Sequence, residues 1–247
     1  MKRSIYIILT VVYIFFTNCS TPLPNDPGSQ GRKLFFTSRY TEEISYILVY
    51  VPQKTDGPVP VIYMLNGSMQ DAYGWETGAD LQGGADKYDM IIVSIASYDK
   101  PYIDDYLNGD LYESYVLEIV EIVDGLFDTK TSRDFRGIGG YSMGGAGSLY
   151  VGSRHPDKFI SITSMSGGYS NTEQPNWDNL KNQLIYIDCG IDDTGTIDTN
   201  RLVHQLLINY DIPHFYYEYR GGHTYSYMKE HYDEHLNFHS EAFKLNE

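Results

Sequence analysis

Short apolar runs bounded by polar, glycine-bearing turns alternate along this chain with longer segments whose apolar residues return every three or four positions. "SYILVYVP" (45–52) and "VPVIYML" (59–65) are rich in apolar and β-branched residues. "QKTDGP" between them has turn chemistry, so the pair predicts a hairpin. "MIIVSIAS" (90–97) is a continuous apolar run of the kind that forms a strand buried on both faces. "ESYVLEIVEIVDGLF" (113–127) instead places Val116, Ile119, Val120 and Val123 on one side of a helix. "FRGIGGYS" (135–142) predicts a strand and "GGAGSLYVGSRHP" (144–156) a small-residue helix ended by Pro156. "FISITSMSG" (159–167) and "QLIYIDCG" (183–190) are two more strands. A helix over 198–211 with Asp198 as N-cap, a last strand in "HFYYEYRGG" (214–222) and a final helix after Ser226 complete the pattern. Such alternation defines an α/β fold, a mostly parallel central sheet with helices on both faces. No internal repeat interrupts it.

The N-terminus departs from this alternation. Lys2 and Arg3 precede a twelve-residue, mostly apolar run from Ile5 to Phe16, too short to span a bilayer and suited to a secretory signal. Cys19 follows, then "STPLPNDPGSQG", which is polar and rich in Pro and Gly. This order is similar to a bacterial lipoprotein signal, although Asn18 stands where such signals carry a small residue. The expectation is a signal peptide over 1–18, a tether over 19–34 and one folded domain over 35–247. The protein is then exported to the periplasm or cell surface and held at a membrane by a lipid on Cys19. Cys189 is left without a disulfide partner, and at the end of an apolar run it reads as buried and inert.

Composition narrows the partners. A net charge of −15 argues against nucleic acid, because phosphate binding draws on a surplus of Lys and Arg. The 24 tyrosines suit a protein that handles sugars or aromatic groups, and equally serve as amphipathic filler of core and surface. The 247 residues suffice for a single large α/β domain.

The chemistry concentrates in "GIGGYSMGGAGSLYVGSRHP", Gly137 to Pro156. A phosphate-binding loop would need a lysine before Ser148, and a dinucleotide fingerprint would need different glycine spacing at the first strand. Gly140, Ser142 and Gly144 fit the nucleophile elbow G-x-S-x-G, with a strand before and a helix after. There the serine sits on a sharp turn, and small neighbours two positions either side let strand and helix approach. The Met143 N–H, at the helix N-terminus, is a candidate oxyanion donor. A serine nucleophile needs a base oriented by an acid, in the chain order Ser, Asp or Glu, His. Asp192 and Asp193 follow one predicted strand and His223 follows the last, both at strand carboxyl ends, where open α/β sheets place their sites.

"FRGIGGYSMGG", "DCGIDDTG", "NRLVHQLLINYDIPHFYYEYRGGHTYSYM" and "VIYMLNGS" together resemble the putative esterase family of α/β-hydrolases, which includes S-formylglutathione hydrolase, feruloyl and acetylxylan esterases and mycolyltransferases. The resemblance spans about residues 35–245. It implies an α/β-hydrolase fold with Ser142 as nucleophile, His223 as base and, of the two aspartates, Asp193 as acid. It also implies a second oxyanion donor after a His-Gly pair. Here that pair is Asn66-Gly67, so the candidate is the Ser68 N–H. The activity implied is ester hydrolysis through an acyl-enzyme, without cofactor or metal. Export favours acyl esters of plant polysaccharide, of the feruloyl or acetyl xylan type. Siderophore esters and acyl transfer are alternatives, and a carbohydrate-binding lipoprotein without chemistry is the rival from another class.

Two aromatic clusters are candidate walls of a substrate cleft. Tyr98 and Tyr102 belong to the Tyr- and Asp-rich loop 97–115, and Tyr73 and Trp75 lie beyond the candidate oxyanion loop. Tyr225, just past His223, is a further candidate. "HYDEH" (231–235) matches an inverted zinc-protease pattern, but only eight residues follow His239, too few for the helix of a third ligand. His231, His235 and His239 therefore read as a polar face of a terminal helix.

Overall fold

In the computed structural model, which describes residues 30–169 and 174–247, the apolar runs become strands of one sheet. The chain passes through β1 (Arg32–Thr37), β2 (Ile44–Tyr50), β3 (Val61–Leu65), α1 (Leu81–Tyr88), β4 (Ile91–Ile95), β5 (Asp104–Asp105), β6 (Asp110–Leu111) and α2 (Tyr112–Leu126). It continues through β7 (Arg136–Tyr141), α3 (Met143–Arg154), β8 (Ser161–Met165), α4 (Trp177–Leu180), β9 (Leu184–Gly190), α5 (Ile197–Asn209), β10 (Phe215–Tyr219) and α6 (Tyr225–Lys244). The sheet order is β1-β2-β4-β3-β7-β8-β9-β10. The first two pairings are antiparallel and all others parallel.

Alternation along each strand fills both faces. In β3, Val61, Tyr63 and Leu65 join a core with Val116, Ile119 and Val123 of α2 and Leu149 of α3. Ile62 and Met64 turn the other way, into a core with Ala85 of α1 and Leu236 and Phe243 of α6. Each large apolar side chain buried this way contributes about 1.5–3 kcal/mol, so the sheet is held from both sides.

Four expectations change. β2 and β3 do not form a hairpin, because β4 lies between them, antiparallel to β2 and parallel to β3. The hairpin partner of β2 is β1, whose half-exposed "RKLFFT" carries too little apolar pattern to announce a strand and lies partly within the expected tether. Asp198 is not the cap of α5. Thr196 holds that place, and Asp198 sits in the first turn, favourably for the helix dipole. Finally, α6 begins at Tyr225, capped by Thr224, whose hydroxyl accepts from Tyr227 N.

The histidines of α6 do not form a polar face. His235 and His239 are completely buried against the sheet. His235 Nε2 lies 2.7 Å from Asp188 Oδ2, and His239 bridges Ser161 Oγ (2.7 Å) and Thr163 Oγ1 (3.1 Å). His231 stacks on Tyr219 at 4.3 Å. Among the described residues no group of three His, Cys, Asp or Glu is arranged to hold a metal ion. Nor does any helix among them have the length and apolarity to cross a membrane. Cys19 lies outside the described residues.

Candidate active site

The turn between β7 and α3 carries Ser142 at φ 57° and ψ −123°, a left-handed conformation that costs a non-glycine residue about 1–3 kcal/mol. Two close approaches hold it there. A side chain at Gly140 would strike the Gly144 backbone, and one at Gly144 would strike the carbonyl of Leu65, so strand, helix and β3 pack through glycines. The Ser142 N–H donates to Met165 O at 2.9 Å, which ties the turn to β8.

The carboxyl ends of β9 and β10 bring the partners. His223 Nε2 stands 2.8 Å from Ser142 Oγ, and His223 Nδ1 stands 2.7 Å from Asp193 Oδ2. The imidazole is about one-third exposed, while the Asp193 side chain is fully buried. Tyr141 stacks on the imidazole with ring centres 4.9 Å apart. Burial would raise the Asp193 carboxyl pKa. Hydrogen bonds from Thr196 and His223 outweigh it and hold the pKa below the ordinary carboxylate range. The Thr196 hydroxyl donates at 2.6 Å, and the Gly195 and Thr196 N–H groups donate to the other oxygen at 3.2 Å each. This aspartate is therefore an anion facing the imidazole. Asp192 points elsewhere. It is exposed, and its carboxylate meets Gly221 N at 3.4 Å. Behind the acid, burial pushes the Cys189 thiol up to about 11 and leaves it inert.

The loop after β3 lies beside the serine. A Cβ on Gly67 would stand 3.4 Å from Ser142 Cβ. Of three successive amides, Gly67 N donates to Gln70 Oε1 (2.8 Å) and Met69 N to Tyr98 O (2.6 Å). The Ser68 N–H between them, like that of Met143, makes no hydrogen bond within the protein among the described residues. Asn66 is buried and donates to Ser94 Oγ (2.8 Å) and Ile95 O (3.0 Å), so it anchors this loop to β4.

Two of the aromatic candidates are not walls of a cleft. Trp75 is completely buried, its indole N–H on Leu65 O at 3.2 Å. Tyr102 is also completely buried, with its hydroxyl on the carbonyls of Asn66 and Ile95 (3.1 Å each), so it supports the loop from within. Tyr73 is half-buried beside Tyr46. Tyr225 is exposed and accepts from Gln70 Nε2 at 3.0 Å, joining the histidine side of the site to the Ser68 loop. Tyr98 is exposed and lies on the flank toward β2. Sequence reading missed Thr196, Tyr141 and Gln70. Thr196 had a signal, since a threonine three residues past an aspartate suits an Asx-type turn, whereas the other two act only across the fold.

Fold and site together define an α/β-hydrolase with its serine on a nucleophile elbow and a buried acid behind the histidine. The sequence profile described as Putative esterase matches residues 38–238, and the chain belongs to that family. An acetyl esterase from Caldicellulosiruptor saccharolyticus is 27% identical over 106 residues, a match spanning 42% of this chain and 40% of that protein. The substrate-bound structure of the Staphylococcus aureus fluorophosphonate-binding serine hydrolase F superposes with a TM-score of 0.75 at 18% identity, covering 84% of this chain and 97% of that one. The ferulic acid esterase AmCE1/Fae1A from Anaeromyces mucronatus, in complex with ferulic acid, gives 0.70 at 20% identity, covering 91% and 95%. These structural likenesses speak to the fold.

Proposed function

We propose that this esterase-family member is a serine carboxylesterase in which Ser142, His223 and Asp193 act as a triad. The observation that carries the reading is the unbroken relay from Ser142 Oγ through the imidazole to a buried carboxylate, at 2.8 and 2.7 Å. His223 Nε2 takes the hydroxyl proton as Ser142 Oγ attacks the ester carbonyl carbon, and Asp193 stabilises the imidazolium through Nδ1–H. The oxyanion forms against the N–H groups of Met143 and Ser68. Collapse breaks the bond to the alcohol oxygen, which leaves with the proton from Nε2. A water, deprotonated by the same nitrogen, then hydrolyses the acyl-enzyme and restores Ser142.

The substrate class we propose is an acyl ester of plant polysaccharide, of the acetyl or feruloyl type. The acetyl esterase and ferulic acid esterase relatives support it. Export and a lipid on Cys19 complete the reading, supported by the basic start, the apolar run and the cysteine that follows. A fluorophosphonate probe tests the chemistry. It should label the purified protein at Ser142, and labelling that persists in Ser142→Ala would sink the assignment.

A further inference from the structure

Because β2 runs antiparallel to β4, its first residues stand at the same end of the sheet as the loops after β3, β4 and β7. A cavity of about 100 Å³ opens there. Four phenol rings line it, Tyr46, Tyr98, Tyr112 and Tyr115, together with Ser45 and Glu43. They come from three separate segments. Tyr112 and Tyr115 meet edge to face at 5.6 Å and 70°, so the buried Tyr115 ring backs the half-buried Tyr112 ring. The Tyr46 hydroxyl donates to Asp71 Oδ2 at 3.0 Å, which fixes its ring. Tyr98, more than half exposed, is held by its backbone, whose carbonyl accepts from Met69 N at 2.6 Å, one residue past the Ser68 donor. The cavity and the oxyanion loop thus share a wall.

We propose that this cavity binds a neutral sugar ring on the alcohol side of the ester, which rests on the esterase reading above. Phenol faces pack on the C–H surfaces of a sugar, and the phenol tips, Ser45 and Glu43 meet its hydroxyls. Among the described residues no lysine or arginine lines the cavity, and Glu43 does, so a neutral unit fits better than an anionic one. Reach selects the alcohol side. β2 is the third strand from β7, so at about 4.8 Å per strand the Tyr46 wall of the cavity stands about 14 Å across the sheet from the strand that leads into Ser142, well beyond an acetyl group. It would hold a sugar further along the chain that bears the ester. Four of the 24 tyrosines then have a local use.

The test separates binding from chemistry. In Ser142→Ala protein, calorimetry with unesterified xylotetraose, mannotetraose and cellotetraose should detect binding of at least one. Adding Tyr98→Ala or Tyr112→Ala should weaken it about tenfold, and Tyr98→Phe, which keeps the ring face, should retain most of it. In otherwise unaltered enzyme the same alanine variants should lower kcat/KM for the acetylated tetraose about tenfold relative to 4-nitrophenyl acetate. Equal binding of all variants, or no sugar binding at all, overturns the proposal. So does a Tyr98→Ala loss that falls on methyl ferulate instead, which would give the cavity to the acyl group. A protein that binds the sugar through these tyrosines yet hydrolyses no ester would overturn the esterase reading and leave the sugar site standing.

Discussion

Two aspartates stand side by side in "IDDTG", and the fold sends them in opposite directions. Asp193 turns inward, where Thr196 and two backbone N–H groups satisfy it and His223 meets it at 2.7 Å. Asp192 stays at the surface on the backbone of the histidine loop. The Thr196 hydroxyl is committed to Asp193, which is why it does not cap α5 with its side chain. Asp193→Asn would leave the imidazole in the wrong tautomer and its positive charge unsupported. A comparable loss in a well-studied serine protease lowers kcat by about 10⁴. We expect Asp193→Asn to lower kcat by a few orders of magnitude with KM nearly unchanged, since the carboxylate lies behind the imidazole rather than on the substrate. Asp192→Asn should cost far less. Steady-state kinetics on one ester decides, and a reversal would move the acid to Asp192.

At the scale of the element, α6 is fastened by buried polar groups. Asp188 of β9 accepts from Tyr227 (3.1 Å) and faces His235 (2.7 Å), while His239 reaches the hydroxyls of β8. Tyr227 lies four residues past His223, so this fastening also fixes the histidine loop. Burial, with His235 beside it, pushes the His239 pKa down to about 3 from an ordinary 6.5. The native site takes only the neutral ring, whereas the unfolded chain takes up a proton below about pH 6.5. Stability from this group is thus full above pH 6.5 and is lost as pH falls toward 3, with a slope of about 1.4 kcal/mol per pH unit. His239→Leu should flatten the pH dependence by that one proton while lowering stability at pH 7, since Ser161 and Thr163 lose their partner. Urea unfolding at pH 7, 6 and 5 measures both effects, and an unchanged slope would contradict the neutral, buried assignment.

For the whole molecule, the sheet gathers four strand ends, those of β3, β7, β9 and β10, into one candidate site. Residues 38–238 match the family profile, and the expected anchor precedes them. If Cys19 carries lipid, the protein expressed in its host should sediment with membranes, and Cys19→Ala should release it to the soluble fraction with its activity intact. An unaltered protein already soluble in its host would end the anchor reading.

The serine turn, the aspartate loop and the histidine loop were legible in the sequence because their requirements are local. An elbow needs glycine two residues either side, and each partner needs only to follow a strand. Strand and helix segments were legible for the same reason, since apolar periodicity reports burial within a few residues. Periodicity does not name partners. Only the sheet decided that β4 separates β2 from β3 and that the half-polar β1 completes the edge. It also decided that Trp75 and Tyr102 are core, and that His239 would sit on a serine and a threonine more than seventy residues away. Those outcomes depend on packing and on satisfying buried polar groups across the fold, as does the cavity of Tyr46, Tyr98, Tyr112 and Tyr115, whose rings meet only when the start of β2 packs against the loop after β4 and the start of α2.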